Sequence, residues 1–143
     1  MSKHDPLEVA DHLHTAAIRL LRRVRLTDDE IGLSAPKLSA LAVLVFGGAT
    51  SLKALARSEQ VTAPTMSKLV TDLEAAGLAA KRVDKHDKRG VRIEVTAKGR
   101  ALMEAGRKRR LALLRDRLAM LTREERALLD AAAALMLKVA SPS

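Results

Sequence analysis

The sequence predicts a mainly α-helical chain with one small β-hairpin. The expected order is four helices, two short strands and two helices. Three observations carry that reading. Aromatic residues are 1% of the 143, with Phe46 alone and no Tyr or Trp, so the core must be built from Leu, Ala, Val and Met. Such a core suits packed helices better than a β-sandwich. Apolar residues recur at spacings of three and four through most of the chain, and only residues 79–95 change to a period of two. The length and the 48% apolar content suit a single folded unit, residues 1–143.

Each element follows from local chemistry. Pro6 opens the first helix, where its missing N–H costs nothing, and Val9, Leu13, Ala16, Leu20 and Val24 form its apolar stripe. Residues 26–32 break that pattern and read as a loop. Ser34 is the N-cap of a second helix, with Pro36 in its first turn and Leu38, Leu41 and Leu44 leading to Gly47 and Gly48. Ser51 caps a short third helix with Leu52, Leu55 and Ala56. Thr62 caps a fourth, with Pro64 in its first turn, an inner face of Met66, Leu69, Val70 and Leu73, and Gly77 as its stop. Residues 79–83 and 91–95 are strands, the second alternating Val91, Ile93 and Val95 with Arg92 and Glu94. Thr96 caps a long fifth helix bearing Leu111, Leu114, Leu118 and Leu121. Thr122 and Glu125 form a capping box for a sixth, with Leu128, Leu129, Ala132, Leu135, Met136 and Val139.

Residues 52–73 point to function. A short helix, a tight turn and a second helix need a small residue on the first helix and apolar residues around the turn. Ala56, Leu55, Val61, Met66 and Leu69 supply them, the pattern of a helix-turn-helix. Gln60 stands where such turns often place Gly. With the inner face set, Pro64, Lys68 and Thr71 point outward, flanked by Thr65, Ser67 and Asp72. A face that is small, polar and singly cationic suits entry into a major groove. It would also suit an ordinary solvated surface. The hairpin weighs for the first reading. Residues 81–100 hold eight Lys or Arg against three carboxylates, five of the chain's nine net positive charges. Basic charge on a hairpin that follows a helix-turn-helix makes a winged helix, whose tip can reach the minor groove.

The residues Leu69, Val70, Leu73, Glu74, Gly77 and Leu78, then Asp84, Asp87 and Arg89, then Thr96, Gly99 and Arg100, resemble the MarR (multiple-antibiotic-resistance regulator) family, over essentially the whole chain. Lys85 stands where that family often has Pro. The resemblance implies a homodimer of winged-helix protomers, paired through the first, fifth and sixth helices, that binds pseudo-palindromic double-stranded DNA. It implies residues 34–100 as the DNA-binding part and 1–33 with 101–143 as the dimerisation part. It places Pro64, Thr65, Ser67 and Lys68 on the recognition helix and Arg89 at the wing tip, oriented by Asp87. It also implies release of DNA by a small, often aromatic or anionic, effector.

The expected function is a sequence-specific transcriptional regulator, a repressor released by such an effector, with no enzymatic activity and no cofactor. The expected DNA-binding set is Thr62, Pro64, Thr65, Ser67, Lys68, Thr71, Lys85, Asp87, Lys88 and Arg89. Leu13, Leu20, Leu128, Leu135 and Met136 are the expected dimer contacts, because the stripes of the terminal helices need a partner. The competing reading is an interaction module whose basic wing meets an acidic protein or RNA. Without Cys there is no thiol chemistry, and the four His have no metal-ligand spacing. The run Arg107, Lys108, Arg109 and Arg110 reads as a solvated face, with Glu104 pairing to Lys108. No stretch is long enough to span a bilayer and no secretory leader is evident, so a cytoplasmic protein without membrane partners is expected.

Overall fold

A computed structural model describes residues 3–86 and 90–142, apart from the side chains of Asp29 and Glu30. The helices are α1 (Pro6–Arg25), α2 (Ala35–Gly47), α3 (Leu52–Ser58), α4 (Ala63–Ala75), α5 (Ala97–Leu118) and α6 (Arg123–Ala140). The strands β1 (Thr50–Ser51), β2 (Ala79–Val83) and β3 (Val91–Val95) form one antiparallel sheet in the order β1-β3-β2.

Side chains start most of the helices as the sequence predicts. Ser51 Oγ accepts from Ala54 N at 3.1 Å, Thr62 Oγ1 from Thr65 N at 3.3 Å, and Thr96 Oγ1 from Gly99 N at 3.1 Å. The capping box is complete: Thr122 Oγ1 accepts from Glu125 N at 3.1 Å, and Glu125 Oε1 accepts from Thr122 N at 3.0 Å. Ser34 occupies the N-cap of α2 by its backbone, but its hydroxyl caps nothing.

Three sequence readings need correction. Residues 26–32 are not a loop: Leu26–Ile31 is a 3-10 helix ended by Gly32 at φ 76°. Thr27 Oγ1 donates to Val24 O at 2.8 Å, and Asp28 pairs with Arg110 of α5 at 3.0 Å. A polar run held by a cap and a distant arginine leaves no hydrophobic period to detect. The two-strand hairpin is a three-stranded sheet, because Thr50 pairs with Ile93 and Ser51 with Arg92. Two residues cannot show a period, and their partner lies far along the chain. Glu104 pairs with Arg107 at 3.9 Å, not with Lys108.

The core lies between α2, α3, α4 and the sheet. Leu41, Leu44, Leu55, Met66, Val70, Leu73 and Ile93 are fully buried in it. Leu69, read as inner face, is half-buried at the edge of this cluster. The terminal helices are different. Only Val24 of α1 is buried, and no residue of α6 is.

One junction joins the layers. At the end of α4, Leu78 N donates to Leu73 O and Gly77 N to Glu74 O, both at 2.9 Å, with Gly77 at φ 75°. This is a Schellman stop, with Leu73 and Leu78 both buried beside it. The start of α5 grips the carbonyls that follow. Lys98 Nζ donates to Ala76 O at 2.8 Å, Thr96 Oγ1 to Gly77 O at 2.6 Å, and Thr96 N to Leu78 O at 3.0 Å. A Cβ on Gly99 would collide with Leu78 O and lie 2.8 Å from a Val95 methyl. Gly to Ala inside a helix ordinarily stabilises by about 1 kcal/mol. Here backbone blocks the methyl, so Gly99→Ala is expected to lower the unfolding free energy by about 2–3 kcal/mol in urea denaturation.

Candidate nucleic-acid interface

Helices α3 and α4 are joined by the turn Glu59, Gln60 and Val61. Val61 N donates to Ala56 O at 3.0 Å and Gln60 N to Arg57 O at 3.1 Å, a second Schellman stop. Gln60 takes the position where Gly is usual and adopts φ 57°, so the turn keeps its shape at the cost of backbone strain. Leu55, Ala56 and Met66 are buried around it.

Helix α4 therefore turns Met66, Val70 and Leu73 inward, while Thr62, Pro64, Thr65, Lys68 and Thr71 are exposed and Ser67 is half-buried. Thr62 Oγ1 donates to Thr65 Oγ1 at 2.9 Å, holding both hydroxyls at the helix start. Thr71 Oγ1 donates to Ser67 O at 2.9 Å, so outward it offers its methyl and an acceptor oxygen rather than a proton. The charges on α4 are Lys68, Asp72 and Glu74. Asp72 pairs with Lys37 at 3.6 Å and Glu74 with Lys81 at 3.4 Å. Lys68 makes no ion pair among the described residues.

The wing is built from β2 and β3. Arg82 and Arg92 stand directly opposite in the register, which for like charges is unfavourable. Each leans to a carboxylate: Arg82 Nε lies 2.7 Å from Glu94 and Arg92 Nε 3.3 Å from Asp84. Arg92 also donates to Ala49 O at 3.0 Å, tying the wing to the segment before β1. Asp84 N donates to Gly90 O at 2.9 Å and closes the base of the tip. Lys81, Arg82 and Arg92 are thus committed to carboxylates, which fixes where these cations point. Lys85 is exposed. Asp87, Lys88 and Arg89, expected at the tip, lie outside the described residues.

Sequence reasoning missed Lys37 as part of this surface, and it counted Arg92 and Lys98 in the basic charge without their partners. The partners of the three are Asp72, Ala49 with Asp84, and Ala76. None of these pairings leaves a periodic or motif signal. Among the described residues no group of three or more metal-binding side chains occurs, and no helix is long and apolar enough to cross a membrane.

A tri-helical core with a helix-turn-helix and a small antiparallel sheet is a winged helix. The family model described as the MarR family matches residues 31–90. The chain is 36% identical, over 94% of its own length and 94% of the relative's, to an HTH-type transcriptional regulator of Mycobacterium tuberculosis (strain CDC 1551 / Oshkosh). Its fold is similar to that of a MarR family protein from Bacillus stearothermophilus, with a TM-score of 0.80, 24% identity and 96% of each chain covered. It is also similar to a MepR variant of S. aureus bound to an oligodeoxyribonucleotide, with a TM-score of 0.69, 21% identity, and 93% and 98% of the two chains covered. The chain belongs to the MarR family, and it is a DNA-binding helix-turn-helix transcriptional regulator rather than an enzyme.

The turn and cap generate a paired expectation. Gln60→Gly removes the strain at positive φ and should raise stability by about 0.5 kcal/mol. Thr62→Ala removes the cap and should lower it by about 1 kcal/mol. Urea denaturation of both variants measures the two signs.

Proposed function

We propose that the protein is a sequence-specific repressor that binds a pseudo-palindromic operator as a homodimer and is released by a small-molecule effector. The observation that carries the reading is the outer face of α4. It is small and polar over its first turns, is started by a capped helix N-terminus that favours phosphate, and bears one cation, Lys68, which makes no ion pair among the described residues. Thr62, Pro64, Thr65, Ser67, Lys68 and Thr71 then meet the major groove. Lys85, Asp87, Lys88 and Arg89 serve the wing, with Arg89 in the minor groove and Asp87 orienting it. The oligonucleotide held by the MepR variant supports duplex DNA as the partner. Residues 34–100 act as the DNA-binding part, and the cytoplasm is where such a regulator meets its operator.

The proposed dimer rests on the terminal helices. Leu128 is 71% exposed, Leu135 64% and Leu20 51%, with Met136 also exposed and Leu13 half-buried. Stripes of this kind on residues 1–33 and 101–143 are covered when a second protomer packs on them. For the effector, a cleft of about 360 Å³ lies at the α1–α2–α5 junction, where Leu38 and Met103 are apolar, Arg25 is cationic and Arg110 is paired with Asp28. It suits a small anion with an apolar body.

Measurements of DNA binding and of molecular mass test the reading. Lys68→Ala is expected to weaken operator binding by about 1–3 kcal/mol if it reads guanine, with relaxed preference at one symmetric pair of positions. Arg89→Ala should reduce the salt dependence by about one phosphate per protomer. Inserting about half a helical turn, ~5 bp, between the half-sites should abolish tight binding. Footprints without dyad symmetry would favour the interaction-module reading instead. In light scattering the wild type should have the mass of a dimer at micromolar concentration, and Leu128→Glu with Leu135→Glu should give monomers. A folded monomeric wild type would remove the dimer from the proposal.

A further inference from the structure

Helix α4 carries one cation and two carboxylates, and both carboxylates are engaged from outside the helix. Asp72 lies four residues after Lys68, the spacing at which the two would pair along the helix surface. In the structure its carboxylate is instead 3.6 Å from Lys37 of α2. Lys37 sits in the first turn of α2, a turn with no acidic residue, where a cation faces the positive end of the helix dipole. Its local setting therefore disfavours it. The pair is partly exposed on both sides, at 30% and 43%, so it adds little to folding stability. A residue that is poor for its own helix and weak as a structural link needs another reason for its place.

We propose that Lys37 is a positioning residue for DNA binding. It occupies the Asp72 carboxylate, which leaves the Lys68 ammonium free for the duplex and cancels a negative charge beside the phosphates. This rests on the DNA-binding reading of α4. Without Lys37, Asp72 turns to Lys68. The recognition face then loses its free cation and presents a carboxylate close enough to the phosphates to escape salt screening.

The test compares wild type with Lys37→Met, Lys37→Arg, Asp72→Asn and the double variant Lys37→Met/Asp72→Asn. Fluorescence anisotropy follows binding to a labelled random-sequence duplex and to a duplex from upstream of the protein's own gene, across a salt series. Lys37→Met should bind both duplexes about five- to tenfold more weakly at low salt, with a salt dependence shallower by about one phosphate per protomer. Lys37→Arg should bind as wild type does. Asp72→Asn should bind at least as tightly as wild type, and the double variant should match Asp72→Asn, with the salt dependence restored. A mere structural link would not produce that rescue. A double variant as weak as Lys37→Met would mean that Lys37 grips a phosphate itself, and Lys37→Met binding like wild type would mean that the pair is idle; either result overturns the proposal. A wild type that binds neither duplex would overturn the DNA-binding reading beneath it.

Discussion

The close approach of α5 to the end of α4 is the constraint on which the remaining structure depends. Ala76, Gly77 and Leu78 present three successive carbonyls, and Lys98, Thr96 and the missing Cβ of Gly99 accommodate all three. The chain enters the wing at Ala79 and leaves it at Val95, so both strands begin or end at this contact. The recognition helix, the wing and the long helix leading to the chain's end are therefore set relative to one another by a few bonds and one glycine. A side chain at Gly99 would separate all three at once. The cationic Lys98 at the C-terminal end of α4 also matches the sign of the helix dipole there.

Electrostatic pairing then selects which charges remain available. The chain carries a net charge of +9, and near α4 and the wing four of its cations are paired within the protein. Lys37, Lys81, Arg82 and Arg92 each sit on a carboxylate. These pairs are worth little as stabilisers because they are exposed. Their effect is geometric: Arg92, held by Asp84, also ties the wing to the segment before β1, while on the outer face of α4 Lys68 makes no ion pair among the described residues.

The terminal helices follow another logic. Gly106 of α5 is buried, and a Cβ there would approach the Ile31 side chain to 3.0 Å, so the 3-10 helix after α1 lies close against α5. The Arg110–Asp28 pair holds the same contact and borders the cleft at the α1–α2–α5 junction. Beyond that anchorage α1 and α6 leave apolar side chains exposed on the single chain. The buried core cluster is drawn from α2 to α4, Leu78 and the sheet, with Leu102 and Met103 of α5 packed against it.

Sequence alone determined what depends on neighbours a few residues apart. The helices, their caps at Ser51, Thr62, Thr96 and Thr122, the inner face of α4 and the period-two strands all arise from local hydrogen bonding and hydrophobic spacing. Both helix stops of the helix-turn-helix are local too, so Gln60 could be seen in the glycine position, although only the structure shows that it accepts φ 57°. Tertiary structure decided the rest. β1 exists because β3 offers it a ladder, the 3-10 helix because a cap and Arg110 hold a polar run, and the engagement of Asp72 because α2 brings Lys37 to it. Those contacts join residues 35 or more positions apart, apart from the Thr27 cap. A side chain's own neighbourhood cannot encode which distant partner reaches it, because packing of the whole core sets that distance.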